Sequence, residues 1–155
     1  MDKRKMLIRK AEKRDLSRVA EIFVFNNRIN YFPIFKDAVY SFGTLQVVSA
    51  IDNYFGKKET FGNLFVAEGD GIIKGFIEIQ KTEIVKLYVE PLFQNCGTGG
   101  ELIEFALQNF QADFLWALEK NTRAISFYKR HGFFPTGARK HEEGTAEYIV
   151  ELRRK

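Results

Sequence analysis

Residues 82–110 read TEIVKLYVEPLFQNCGTGGELIEFALQNF, and this stretch decides the fold of the chain. Its first part, Ile84–Val89, is apolar enough for a buried strand, and its last ten residues have the apolar spacing of a helix. Between them lies a short loop with glycines at 97, 99 and 100. Amides at a helix start have no internal partner and carry partial positive charge. Glycines there remove side chains that would keep a phosphate away, so the stretch predicts a site for a phosphorylated ligand.

The common nucleotide-binding motifs do not match this loop. The dinucleotide motif requires G-x-G-x-x-G directly after a strand and an acidic residue about 20 positions later. Here the glycines come several residues after the strand, and Glu119 falls on a later segment. The P-loop motif requires Lys and then Ser or Thr after its last glycine, where this chain has Glu101 and Leu102. The predicted ligand therefore belongs to another class of phosphorylated molecule.

A different motif fits the same loop. Q-x-x-G-x-G is read from Gln94 through Gly97 to Gly99, with Leu87–Val89 directly before it on the strand. This combination resembles the acyl-CoA-binding core of the GCN5-related N-acetyltransferases, the GNAT family. The family's second motif, N-x-x-A-x-x-F-Y-x-x-x-G-F, is also matched here. Its members in this chain are Asn121, Ala124, Phe127, Tyr128, Gly132 and Phe133.

The resemblance implies that acetyl-CoA is the co-substrate and that the main chain makes most contacts to it. Amides of residues 95–100 would hold the pyrophosphate, and the backbone of Leu87–Val89 would pair with the pantetheine like an added strand. Asn121 would contact the pantetheine, and the Tyr128 hydroxyl would lie near the thioester sulfur as a general acid. An N-cap and a buried core tyrosine would explain the spacing of Asn121 and Tyr128 equally well. The implied cofactor-binding residues are Leu87, Tyr88, Val89, Gln94, Asn95, Cys96, Gly97, Thr98, Gly99, Gly100, Asn121 and Tyr128.

The group that takes the proton of the acceptor amine is a separate question. Most amines are protonated near neutral pH and must lose a proton before they attack a thioester. Glu83, at the start of the central strand, is the candidate catalytic base and would act through a water molecule, while bulk water competes for the role. Glu90, past the end of the strand, is expected to be a solvated loop residue. Trp116 is expected in the core.

Length and composition fit one domain, residues 1–155. The chain has 45% hydrophobic and 28% charged residues, one cysteine and a formal charge of +4, which suits a polyanion such as coenzyme A. A single cysteine excludes an intramolecular disulfide and makes the reducing cytoplasm the expected location, and two isolated histidines predict no metal site. The chain lacks the basic stripe of a nucleic-acid binder and the apolar run of a membrane span. The sequence leaves the oligomeric state open, with a homodimer as one option.

The order of predicted elements is β-α-α-β-β-β-α-β-α-β-β, which indicates one mixed α/β domain. The resemblance implies a mixed, mostly antiparallel central sheet flanked by helices, the acyl-CoA N-acyltransferase fold. Residues 26–43, which include Pro33 and several aromatic residues, are predicted to be irregular. We expect the aromatic segment Tyr31–Phe42 either to shape the acceptor pocket or to form a hydrophobic lid over the sheet.

The expected activity is direct transfer of an acetyl group from acetyl-CoA to a primary amine of a small molecule or peptide. The amine would attack the thioester, a strand amide near Val89 would hold the oxyanion, and Tyr128 would protonate the departing thiolate. Two other functions fit the sequence. One is a non-catalytic domain that binds acyl-CoA as a sensor, and the other is a structural or partner-binding domain without a ligand.

Overall fold

The computed structural model of the protein describes residues 6–155, which form one seven-stranded sheet with helices on both faces. The strands are β1 Leu7–Lys10, β2 Leu64–Gly69, β3 Ile72–Gln80, β4 Glu83–Val89, β5 Phe114–Leu118, β6 Phe133–His141 and β7 Tyr148–Arg154. Their order across the sheet is β1-β2-β3-β4-β5-β7-β6. Neighbours are antiparallel except for the parallel pair of β4 and β5.

The helices connect the strands in the predicted order, so the mixed, mostly antiparallel α/β fold is confirmed. Short 3-10 turns at residues 13–15 and 91–93, and wider π turns at residues 27–31, 40–44 and 51–55, extend or link them. Within residues 6–155 we find no helix with the length and apolar character needed to cross a membrane. The α-helices are α1 Leu16–Asn26, α2 Phe32–Phe35, α3 Val47–Ala50, α4 Lys58–Phe61, α5 Thr98–Phe110 and α6 Thr122–Arg130.

Each face of the sheet carries its own hydrophobic core, because successive strand residues point to opposite faces. Phe76 and Tyr88 are register partners that pack with α1 and α3, whereas their neighbours Ile77 and Leu87 pack with α5. The side chains of β4 therefore alternate between an α1 face and an α5 face. This alternation decides which residues of β4 can reach each side of the site.

Strands β4 and β5 separate soon after they begin. They pair only at Glu83 with Phe114 and at Ile84 with Leu115, although both strands continue further. On its other edge β4 carries a bulge, because β3 residues 78 and 79 pair with Lys86 and Ile84 and leave Val85 without a register partner. Bulges bend a strand and redirect its side chains, and they are common beside active sites. The second half of β4 thus has one edge that faces away from any strand.

The prediction that residues 26–43 are irregular was wrong, because the structure is largely helical there. Helix α1 continues through the π turn at residues 27–31 into α2. The side-chain amides of Asn26 and Asn27 donate to the carbonyls of Ile22 and Phe23 at 2.8 and 3.0 Å. Such side-chain bonds give helix carbonyls an alternative partner and favour departures from the regular α-helix. Pro33 lies in the first turn of α2, where a missing backbone donor costs nothing.

Candidate active site

A cleft of about 500 Å³ lies where β4 and β5 separate. Its walls are the open edge of β4, the start of α5, the facing side of α6 and, on the α1 face, Asn26, Tyr31 and Lys86. Trp116 and Leu118 of β5 line the cleft across the gap from β4. The cleft therefore connects the helix start predicted to bind phosphate with Tyr31, the first residue of the segment expected to shape the acceptor pocket or to form a lid.

The loop before α5 presents a series of backbone donors to the cleft. Asn95 and Gly97 have positive φ angles of 65° and 89°, and Gly97 is the N-cap of α5. The first hydrogen bond of the helix backbone is donated by Glu101 to the Gly97 carbonyl at 3.1 Å, so the amides of residues 98–100 precede it. Successive amides in such a turn form a concave anion site, and the helix dipole adds positive charge.

The three loop glycines are needed for different reasons, which corrects the single explanation expected from the sequence. A Cβ on Gly97 would meet no atom within 4 Å, but the φ of +89° disfavours any other residue. A Cβ on Gly99 would come within 3.0 Å of the Phe127 ring, and one on Gly100 would come within 3.2 Å of His131. Gly99 and Gly100 therefore allow α5 to approach α6 closely.

The open edge of β4 ends at a carbonyl that two amide side chains hold in place. Asn26, which is only 3% exposed, donates to the Val89 carbonyl at 3.0 Å, and Gln94 donates to the same oxygen at 3.3 Å. The Gln94 amide also lies 3.5 Å from the Asn26 oxygen. Sequence reasoning missed Asn26 because it lies outside both motifs. It links α1 to the cofactor side of the cleft.

Asn121 and Tyr128 both line the cleft from α6. Asn121 is the N-cap of α6, and its side-chain oxygen accepts the amide of Ala124 at 3.3 Å. The Tyr128 ring packs against Phe127 and Phe133. Burial is the main cause that raises the pKa of Tyr128 well above that of a free tyrosine, and nearby Tyr31 adds to the shift. Its hydroxyl therefore stays protonated at neutral pH.

Tyr31 and Tyr88 face Tyr128 from the α1 side. Their hydroxyl oxygens are 2.8 Å apart, and both residues line the cleft. Burial raises the pKa of Tyr31 and of Tyr88. Electrostatic interaction with Tyr31 raises the pKa of Tyr128, and interaction with Tyr128 raises the pKa of Tyr88. Three phenols thus meet in one region of the cleft. Of the aromatic segment Tyr31–Phe42, the structure brings Tyr31 to the cleft and leaves Phe42 more than half exposed.

The acidic residues near the cleft differ in burial. Glu83 lies at the paired end of β4 and β5, beside the cleft rather than in its lining, and burial raises the pKa of its carboxyl. Glu78 of β3 is 4% exposed, accepts a short hydrogen bond from the Tyr54 hydroxyl, and has a pKa that burial raises. Glu90, expected to be solvated, is 9% exposed and forms an ion pair with Arg18 at 3.3 Å. That expectation was wrong because α1 packs over the end of β4.

Two further expectations from the sequence need correction or detail. Trp116 was expected in the core but lines the cleft, and the Lys140 ammonium lies 4.3 Å from its ring centroid. Cys96 is exposed and absent from the cleft lining. Arg123, Arg130 and His131 of the α6 region also line the cleft and were missed by sequence reasoning.

In residues 6–155 no group of three or more His, Cys, Asp or Glu side chains is arranged to hold a metal ion.

Comparison with known proteins gives a family match and several structural matches. The acetyltransferase (GNAT) domain model matches residues 60–135. The solution structure of apo YjaB from Escherichia coli has a TM-score of 0.80 and 22% identity, covering 96% of this chain and 97% of that one. The PaiA N-acetyltransferase of Thermoplasma acidophilum, solved with coenzyme A, has a TM-score of 0.69 and 19% identity, covering 97% and 99%. A GNAT-family acetyltransferase of Bacillus cereus has a TM-score of 0.68 and 16% identity, covering 97% and 96%. At these identities the structural likeness concerns the fold.

Proposed function

We propose that the protein is an N-acetyltransferase of the GNAT family that moves an acetyl group from acetyl-CoA to a primary amine of a small molecule or peptide, which the match of residues 60–135 to the family model supports. We take residues 1–155 as one domain, since both hydrophobic cores of the described part share the same sheet. The observation that carries the proposal is the cleft itself. An unpaired strand edge, an amide-rich helix start and a protonated tyrosine lie around it.

The residues of the cleft fit coenzyme A in three places. Amides of residues 95–100 would bind the pyrophosphate, and the left-handed turn at Gly97 leaves open space beside them. The free edge of Leu87–Val89 would pair with the amides of the pantetheine arm, as an added strand pairs with a sheet. Asn121, at the start of α6, would contact the pantetheine near its thiol end. The coenzyme A complex of the PaiA protein supports this use of the fold.

The proposed reaction is a direct transfer between two bound substrates. Glu83, acting through a water, removes a proton from the acceptor ammonium, and the neutral amine attacks the thioester carbonyl carbon. A backbone amide of β4 near Val89 donates to the oxyanion that forms. When the carbon–sulfur bond breaks, Tyr128 gives its proton to the departing sulfur, and the second proton that the nitrogen loses on becoming an amide restores the Tyr128 phenol. The products are an acetylated amine and coenzyme A with a free thiol, and no covalent enzyme intermediate is formed.

The protonation states of both groups at neutral pH are compatible with these roles. Burial raises the pKa of Glu83, which makes its carboxylate a stronger base than an exposed one. Tyr128 keeps its proton throughout the neutral range, and burial raises its pKa further, so this weakly acidic phenol gives up its proton only as negative charge develops on the departing sulfur. At neutral pH, Glu83 can therefore accept a proton while Tyr128 still has one to donate.

The test is the release of free thiol from acetyl-CoA in the presence of a panel of primary amines that includes amino acids, polyamines, aminoglycosides and peptides. We expect at least one class of amine to give thiol release that depends on enzyme and amine, with an acetylated product by mass spectrometry. Coenzyme A that binds without thiol release for every amine would instead support a non-catalytic acyl-CoA sensor.

A further inference from the structure

We propose that the acceptor end of the cleft contains an anion subsite built on Lys86, and that the acceptor amine belongs to a molecule that also carries a carboxylate. The inference rests on the proposed function, because it names the chemical class of the acceptor. It concerns the α1 face of β4, which neither sequence motif covers.

Lys86 is placed at the point where the cleft opens. It follows the bulge residue Val85, lines the cleft and pairs in register with Glu78 of β3. By the alternation of strand residues its side chain lies on the same face as Tyr88, which is the α1 face. The backbone of Leu87–Val89, which would hold the pantetheine, begins at the next residue. An acceptor that reaches the thioester from the α1 side would therefore pass beside Lys86.

The Lys86 ammonium is held over aromatic rings rather than against a carboxylate. It lies 4.5 Å from the ring centroid of Tyr54 and 5.5 Å from that of Phe23. Among residues 6–155, no carboxylate oxygen comes within the 4.0 Å of an ion pair with it. An ammonium has three donors and no acceptor, and ring faces satisfy its charge only in part. Burial accordingly lowers the pKa of Lys86.

The nearby carboxylates do not neutralise this ammonium at contact distance. Glu78, its register partner, is bound by the Tyr54 hydroxyl, and burial raises its pKa. Glu78, Glu142 and Glu83 act on Lys86 only through longer-range electrostatic attraction, and the attraction of Glu78 is the largest of the three. They are suitably charged to attract the ammonium form of the acceptor amine. The α1 side of the cleft thus offers negative charge for an amine and a cation for a second group.

A second lysine strengthens the case for an anionic group on the acceptor. The Lys140 ammonium lies over the Trp116 ring, on the β5 side of the cleft, and its attraction offsets part of the rise that burial causes in the pKa of Glu83. Like Lys86, it contacts a ring rather than forming an ion pair within residues 6–155. A carboxylate oxygen placed at the Lys86 ammonium would make a charge-assisted hydrogen bond, the stronger kind in proteins. An amino-acid-like acceptor has both of the required groups.

The experiment compares matched acceptors on the full-length enzyme. Each pair consists of an amino acid and its carboxamide, assayed for acetyl transfer with wild type and with Lys86→Met. The amine of the carboxamide is less basic, so a larger fraction of it is deprotonated and ready to attack at neutral pH. A preference of the enzyme for the acid would therefore report recognition of the carboxylate. We expect wild type to prefer the acid by about tenfold or more in kcat/KM, the size of one hydrogen bond to a charged group. Lys86→Met should lose that preference, so the ratio of kcat/KM for acid over carboxamide should fall to one or below, whatever change common to both acceptors follows from the lost charge near Glu83.

Controls separate recognition from folding. Lys58→Met removes a lysine from the exposed surface of α4 and should keep the preference. Lys86→Arg keeps the positive charge and should keep part of the preference for the acid. Lys86→Met removes a charge that attracts Glu78, Glu142 and Glu83, so a melting curve checks that the variant is folded. Wild type that prefers carboxamides, or Lys86→Met that slows both members equally, would overturn the subsite.

A binding measurement keeps the subsite independent of turnover. Titration calorimetry of the same pairs against the enzyme saturated with coenzyme A should show tighter binding of the acid to wild type, and equal binding of both to Lys86→Met. If no amine is acetylated but this difference is seen, the subsite stands and the transferase proposal fails. If neither member of any pair shows a Lys86-dependent difference, the subsite is wrong.

Discussion

Tyr128 is the side chain on which the proposed chemistry depends most. It lies in the cleft beside Tyr31 and Tyr88, and burial keeps its proton in place at neutral pH. A phenol in this position can donate only to a group that appears during the reaction, such as the departing sulfur. Its contribution should therefore be visible in turnover rather than in cofactor affinity.

Replacing Tyr128 by Phe removes the donor and keeps the ring that packs on Phe127 and Phe133. We expect kcat to fall by about 100-fold, the lower end of the range for general acids because a thiolate leaves readily. The affinity for acetyl-CoA should stay the same. Steady-state kinetics and calorimetry measure the two quantities.

The matched control for this variant is Tyr40→Phe, since Tyr40 is 47% exposed and lies away from the cleft lining. It should behave as wild type. Turnover of Tyr128→Phe equal to that of wild type would remove Tyr128 from the mechanism.

At the level of residues, the sequence identified the groups that belong to motifs. Tyr128 and Asn121 were assigned from their spacing and the family resemblance, and both lie in the cleft. Asn26 and Lys86 could not be identified in this way. Each is placed by tertiary structure, Asn26 by the packing of α1 over Val89 and Lys86 by the bulge in β4. A sequence read along one element carries no signal for such contacts.

At the level of elements, the close approach of α5 and α6 determines the shape of the cofactor side. Gly99 allows it, because a Cβ there would come within 3.0 Å of the Phe127 ring. Phe127 precedes Tyr128 on α6, so a change in the separation of the helices would also move Tyr128. The same contact joins the loop before α5 to the proposed acid.

Alanine should have different effects at three glycines, because they differ in backbone conformation and in the space around them. Gly99→Ala should destabilise the protein by about 1–3 kcal/mol through overpacking and should weaken coenzyme A binding. Gly97→Ala should cost about 1–2 kcal/mol because its backbone is left-handed, although the space beside it is open. Gly43→Ala is the control, since a Cβ there meets no atom within 4 Å and its φ is not positive; its stability should stay within about 1 kcal/mol of wild type.

Denaturant unfolding of the three variants measures the stabilities, and calorimetry measures coenzyme A affinity. Equal changes in stability for Gly97→Ala and Gly43→Ala would show that the left-handed backbone at Gly97 does not require a glycine. Wild-type affinity in Gly99→Ala would separate the cofactor site from the contact between α5 and α6.

Most elements could be predicted from the sequence because their periodicity and turn residues are strong. The hairpin between β2 and β3 and the N-cap of α6 are of this kind. The segment after α1 was misread because its asparagines and Pro33 are common helix breakers. Here the asparagine amides bind helix carbonyls and the proline starts a new helical turn, so the same residues favour helix.

At the level of the whole molecule, the separation of β4 from β5 creates the site. Only two residue pairs join these strands, and the cleft, the free strand edge and the start of α5 all follow from that geometry. The sequence predicted this half through the family resemblance. The α1 half of the cleft lacks a motif, and its chemistry emerges only when Tyr31, Lys86 and Trp116 are brought together from distant parts of the chain.

The measurement that tests the central claim most directly is the thermal unfolding of the wild-type protein with and without coenzyme A. A ligand at 100 times its dissociation constant adds about 2.7 kcal/mol of stability. For a protein of this size we expect a rise in melting temperature of about 5–10 °C, and a smaller rise in Gly99→Ala at the same concentration. A melting temperature that does not move with saturating coenzyme A would contradict the assignment of the cleft to acetyl-CoA.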